Sequence, residues 1–226
     1  MKIKPIGLFA LLTLLTSIVW LVLMIGGIIT AGSLETFEDI ITYIGRLDGW
    51  HYATYINASL LTLLNMVLFA ALYQRYQSAA PLAALVGFMF IPVYGALNLV
   101  VYLSQVTVVP GLVQMYQIVE LRAAAEQGLR LLVQLWSGSF IAFINVMAYA
   151  LLGISSIIFA TIINQEEPEL RRLRLGVFLL ELNGVACIVG LIGVIADHTM
   201  LMNGMALGGA LFIGALVPLA VYFLKN

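Results

Sequence analysis

Glu181 stands in the run "FLLELNGVACIVGLIGVIAD", Phe178 to Asp197, with apolar residues on both sides. A charge at the centre of a bilayer costs roughly 3 kcal/mol or more, so a carboxylate kept there needs a chemical reason. Three are open. Glu181 is a protonated, hydrogen-bonded structural residue, since burial penalises the charged form. It pairs with Arg174 or another basic residue of the adjoining loop. Or it is a proton or cation site, the default hypothesis for an ionisable residue inside a membrane.

Uncharged polar or small residues recur at helical spacing in the other apolar runs. They are Thr13, Thr16, Ser17, Trp20 and Gly27; Asn57, Thr62 and Asn65; Gly95, Asn98, Tyr102 and Gln105; and Asn145, Tyr149, Gly153 and Ser156. Lipid offers these groups no hydrogen bonds, so the stripes are expected to face one another inside a bundle. Counted at 1.5 Å per residue, they fall into two layers. Asn57, Asn98 and Asn145 lie about 6–8 Å in from the outer ends of their runs, and Thr13, Ser156 and Glu181 about 9–11 Å in from the inner ends. With Asn65, these are the candidate polar pocket. The competing reading is that buried asparagines join helices and bind nothing. Asn183, about 200° around the helix from Glu181, does not share its face.

His51 and His198 are both expected at the outer surface. Asp48 precedes the first by three residues and Asp197 adjoins the second, so Asp48, His51, Asp197 and His198 could hold a divalent ion such as zinc if their loops meet. Loop polarity explains the same four residues. No lysine lies within the runs for a retinal Schiff base, and no histidine pair lies within them for haem, although the two histidines could ligate it from the edge. Neither a phosphate-cradling glycine loop nor a Ser/His/Asp set is present. The sequence identifies no cofactor, and catalysis has no positive sign.

The elements that hold these residues follow from composition. Hydrophobic residues make up 63% of the 226, and only 9% are charged, against about 25% in soluble domains. Runs of about 20 apolar residues match a hydrocarbon core of roughly 30 Å. Six helical spans are predicted, over residues 6–29, 53–73, 82–103, 140–163, 175–196 and 202–223. The fold class is all-α, a polytopic membrane bundle forming a single domain, and the apolar runs lack the alternation of a β-barrel. The first run exceeds a signal h-region and is read as a retained span. A net charge of −1 gives no reason to expect a nucleic-acid partner. The lone Cys187 lies in an apolar run and excludes an intrachain disulfide framework.

Orientation follows from basic residues. With the N-terminus inside, Lys2, Lys4, Arg75, Arg171, Arg172, Arg174 and Lys225 are cytoplasmic, and only Arg46, Arg122 and Arg130 lie opposite. Both termini are therefore expected in the cytoplasm. Two outer loops are predicted to contain amphipathic helices that lie on the interface or cap the bundle. In the first, Thr36 and Asp39 form a capping box, and Phe37, Ile40, Ile41, Ile44 and Leu47 share a face. In the second, Pro110 and Gly111 break the chain before an amphipathic stretch. Pro92 is expected to bend the third span.

The stretches "ALYQRYQSAAPLAALVGFMFIPVYGALNLVVYLSQVTVVPGL" and "YALLGISSIIFA" resemble an uncharacterised family of bacterial six-span membrane proteins, classed as a domain of unknown function. The resemblance covers about the middle half of the chain. It implies a bacterial integral membrane protein of the plasma (inner) membrane, and it carries no functional residue across. Two functions are expected to compete. One is a small transport or ligand-binding bundle with Glu181 as ionisable centre, the asparagines as an outer layer and Pro92 as hinge. The other is a non-catalytic subunit whose Gly204-x-x-x-Gly208 pair docks on a membrane-protein partner or a second copy. A metal-dependent membrane enzyme ranks third.

Overall fold

The computed structural model describes residues 4–32, 34–167 and 173–225. These form α1 (Lys4–Ala31), α2 (Phe37–Gly45), α3 (Gly49–Tyr76), α4 (Pro81–Tyr116), α5 (Arg122–Leu132), α6 (Phe140–Glu166), α7 (Arg174–Ile195), α8 (Thr199–Met202) and α9 (Gly204–Lys225), with no strand among the described residues. Six helical stretches are long and apolar enough to cross a membrane: α1, α3, α4, α6, α7 and Thr199–Lys225. On α1, Leu8, Leu15, Val22 and Ile29 are exposed at seven-residue spacing, an apolar face suited to lipid. The chain is a multi-pass membrane protein. Of the basic residues used for orientation, Lys2, Arg171 and Arg172 lie outside the described residues.

α4 differs most from expectation. It runs 36 residues, about 54 Å, and outruns a hydrocarbon core of roughly 30 Å. Pro110 and Gly111 do not break it. Proline removes one intrahelical bond, but Val109 and Val113, on either side, are buried in a core that holds the helix through. The helix also continues through Pro92.

The chain divides into two compact units. One comprises Ile18–Leu61 and Leu97–Asn145, and is called the asparagine unit below. Here α2 and α5 bury their apolar faces against the end of α4. Phe37, Ile40, Ile41 and Ile44 of α2 and Ala125 and Leu129 of α5 join Val109, Val113 and Tyr116 in one core. The Arg130 guanidinium lies 4.1 Å from the Phe37 ring centroid. α2 starts at a capping box: the Asp39 amide donates to Thr36 Oγ1 at 3.1 Å, and the Thr36 amide donates to Asp39 Oδ2 at 3.0 Å. Tyr43 closes α2 onto α1, its hydroxyl 2.7 Å from where a Cβ on Gly27 would sit. Burial, then the nearby Asp48 charge, push its phenol above the ordinary value. Thr36→Ala is expected to lower stability by about 1 kcal/mol, with faster hydrogen exchange confined to the first turn of α2.

The other unit comprises the described residues within Met1–Ser17, Thr62–Ala96 and Val146–Asn226. Small residues let its helices approach closely. A Cβ on Gly184 of α7 would collide with the Gly153 carbonyl oxygen of α6 and lie 2.5 Å from Ile157 Cγ1. A Cβ on Gly204 of α9 would lie 2.5 Å from the Ala186 carbonyl oxygen and 3.1 Å from the Gly190 Cα of α7. One on Gly208 would lie 2.5 Å from Cys187 Sγ. The Gly204/Gly208 pair is therefore occupied by α7 of the same chain, and its expected docking face is taken. Elsewhere in this unit, Ser155 Oγ donates to the Gly87 carbonyl at 2.7 Å, and Phe69 meets Phe159 edge-on with centroids 5.6 Å apart. Arg75 pairs with Glu167 at 3.0 Å.

Candidate functional site

In the asparagine unit, α3 and α4 run antiparallel, and three rungs between them set their register. His51 Nε2 lies 2.9 Å from the Gln105 carbonyl oxygen. One turn on, the Tyr55 and Tyr102 rings lie 6.3 Å apart between centroids. Tyr55, Ala58, Val101, Tyr102 and Ile141 then share one buried cluster, with Trp20 and Ile144 packed against it. A further turn along α4, four residues back from Tyr102, is Asn98. The corresponding turn of α6, four residues on from Ile141, is Asn145, because these helices also run in opposite directions. Asn57 adjoins Ala58 at the same level of α3. Counting turns puts the three asparagines at about one height along α3, α4 and α6.

The layer is short of hydrogen bonds. Asn98 is fully buried, at 0% exposure, and neither its Oδ1 nor its Nδ2 has a partner among the described residues. The same holds for the buried Oδ1 atoms of Asn57 and Asn145. A buried polar group left unpaired costs about 1–3 kcal/mol, and Asn98 carries two such groups.

Two turns toward α5 the polar groups are largely satisfied. Gln105, also 0% exposed, donates from Nε2 to the Leu132 carbonyl at 2.8 Å and accepts the Gln134 amide at 3.1 Å on Oε1. This side chain ties the end of α5 to α4. Gln105→Leu leaves both backbone groups without it, and a loss of about 2 kcal/mol is expected, with amide exchange rising at 132–134.

One histidine, His51, differs from expectation. His51 is buried at 3% exposure in the first turn of α3 rather than at the surface. A carbonyl can only accept, so the His51 proton sits on Nε2 and Nδ1 is left as an acceptor, with no partner among the described residues. Asp48 caps the helix by accepting the His51 amide at 3.0 Å. Asp197 and His198 are exposed, Asp197 with φ 51° in the left-handed region. Among the described residues no group of three or more His, Cys, Asp or Glu could hold a metal ion. Of the expected set, Asp48 and His51 belong to the asparagine unit and Asp197 and His198 to the other.

In the other unit, Thr13, Asn65 and Ser156 are buried, and Thr13 Oγ1, Asn65 Oδ1 and Ser156 Oγ lack partners among the described residues. Asn65 Nδ2 donates to the Tyr94 hydroxyl at 2.9 Å. Glu181 is only half-buried. The buried polar residue of α7 is Asn183, whose Nδ2 donates to the Gly208 carbonyl of α9 at 2.9 Å. Sequence reasoning set Asn183 aside because it does not share the face of Glu181. Its signal was the small residues on its own side, Gly184, Cys187 and Gly190, which mark the packed face. Among buried described side chains the polar groups are hydroxyls, amides and one imidazole, with no carboxylate, ammonium or guanidinium. The chain matches no family model, no curated protein and no solved structure.

Proposed function

We propose that this chain is a bacterial inner-membrane protein, both termini cytoplasmic, that admits small uncharged polar solutes to its interior at Asn57, Asn98 and Asn145. The observation that carries this reading is Asn98, wholly buried with both ends of its amide unpartnered among the described residues. An asparagine that joins helices bonds the neighbouring helix, as Asn183 Nδ2 does with the Gly208 carbonyl, leaving only its Oδ1 without a partner among the described residues, whereas Asn98 bonds at neither end. Asn98 holds a donor and an acceptor in reserve, which is what a transient polar guest requires. The bacterial assignment is supported by the resemblance over residues 71–112 and 149–160. The orientation is supported by the seven-to-three distribution of basic residues.

The subunit reading leaned on the Gly204/Gly208 face, which packs against α7 of the same chain. A stoichiometric second protein in native mass spectrometry of the extracted protein would restore it.

Reconstitution tests the proposal. Vesicles containing the protein are expected to swell in acetamide or glycerol gradients faster than empty vesicles, as read by stopped-flow light scattering. Asn98→Leu vesicles are expected at the empty-vesicle rate. Equal rates in all three preparations would refute the solute reading. Asn57, Asn98 and Asn145 are uncharged and Glu181 belongs to the other unit, so Glu181→Gln is expected to leave the flux within about twofold of wild type. Loss of flux in that variant would return Glu181 to the centre of the mechanism.

A further inference from the structure

We propose that His51 is an acid-sensitive latch, fastening the first turn of α3 to α4 at neutral pH and releasing it in mild acid. The latch does not depend on the solute reading above. α3 has 28 residues and is about 42 Å long. A hydrocarbon core of roughly 30 Å centred on it leaves about four residues at the start, His51 among them, beyond the lipid tails. Protons of the bulk phase reach that level without crossing hydrocarbon.

The device is one proton on one nitrogen. His51 Nε2 donates to the Gln105 carbonyl oxygen at 2.9 Å, so in the closed form Nδ1 is the bare nitrogen. The side chain is buried, and Nδ1 has no partner among the described residues. A second proton would turn Nδ1 into a donor on a charged ring, with no described group to receive it. The groups facing the ring supply no such acceptor. Asp48, whose charge acts on the imidazole, accepts the His51 amide on Oδ1 at 3.0 Å. Tyr52 and Tyr55 present rings, with centroids 5.6 and 5.0 Å from the imidazole. From α4 come Gln105 and, against Tyr55, Tyr102. Beyond Tyr55 stand Tyr43 and, acting on Tyr43, Arg46.

The direction of the effect follows from the proton count. When the contact with Gln105 opens, the ring meets water and takes up a proton as an exposed imidazole does, at about pH 6.5. The open form then holds one proton more than the closed form, so acid favours it. Above that pH both forms are neutral and the latch is at full strength; each unit below it raises opening about tenfold. Gln105 spreads the effect, because its side chain also holds the Leu132 carbonyl and the Gln134 amide at the end of α5.

Hydrogen exchange of the detergent-solubilised protein at about pH 7.5 and 5.5 tests the latch, with His51→Gln compared at each pH so that the intrinsic exchange rate cancels. Glutamine keeps an N–H for the Gln105 carbonyl and gains no proton. Between the two conditions, opening at 49–56 is expected to rise about tenfold more in wild type than in His51→Gln, with 132–134 following. Carboxylates, which titrate near 4, stay ionised throughout. His198→Gln, at the other of the two histidines, is expected to respond as wild type does. If His51→Gln does not fold, imidazole nitrogen NMR of the wild-type protein decides. A closed-form His51 still singly protonated at pH 5.5, beside a doubly protonated His198, supports the latch. Equal pH response of wild type and His51→Gln would overturn it, as would a doubly protonated His51 with exchange at 49–56 unchanged.

Discussion

Asn98→Leu is expected to be more stable than the wild-type protein and to carry no solute. Leucine keeps the branched outline of asparagine while removing an acceptor and a donor that are buried and have no partner among the described residues. Each such group costs about 1–3 kcal/mol, so thermal unfolding in detergent is expected to move up by several degrees. The same substitution deletes both Asn98 Oδ1 and Asn98 Nδ2, which are buried without a partner among the described residues. Stability and activity then change in opposite senses, which is the mark of a functional site held at a structural cost. If Asn98 serves instead to join helices, the leucine variant loses stability. A fall in unfolding temperature together with retained flux would remove Asn98 from the site.

The second large effect belongs to the seam between α6 and α7. Gly184→Ala places a methyl group against the Gly153 carbonyl oxygen, with Ile157 Cγ1 only 2.5 Å away. The backbone of α6 cannot turn aside as a side chain can, so the two helices must part. Overpacking of this kind costs about 1–3 kcal/mol. The loss is expected near the upper end, because parting also strains the neighbouring contact in which a Cβ on Gly153 would lie 2.9 Å from the Gly184 carbonyl oxygen. Gly209→Ala is the control: nothing lies within 4 Å of its added Cβ, and alanine is the better helix former by about 1 kcal/mol. Unfolding in detergent should show Gly184→Ala well below wild type and Gly209→Ala at or above it. Equal stability of the two variants would mean that α6 and α7 do not meet at these glycines.

The stripe Gly95, Asn98, Tyr102 and Gln105 was legible because helical periodicity alone sorts one face from another, and the structure buries all four residues. The same reasoning placed the end of the third span at residue 103, since hydropathy falls there and Pro110–Gly111 punctuates the chain. It could not foresee that Val109, Val113 and Tyr116 find cover in α2 and α5. His51 looked like a surface residue because its neighbours in sequence are polar. Its burial comes from Gln105, fifty-four positions away. Glu181 drew attention by its charge, yet Asn183 is the residue whose side chain reaches another helix.

By itself the sequence determined the long apolar helices, their approximate limits and the polar stripes on them. Each of these depends only on residue type and local spacing, because a bilayer demands helices of a given length and backbone bonds closed within each one. Tertiary structure alone decided which stripe residues spend their hydrogen bonds and which keep them. Asn183 finds the Gly208 carbonyl and Gln105 finds Leu132 and Gln134, whereas Asn98 finds no partner among the described residues. A hydrogen bond needs its two atoms about 3 Å apart and aligned, and that condition is set by how separate helices pack rather than by spacing along one of them.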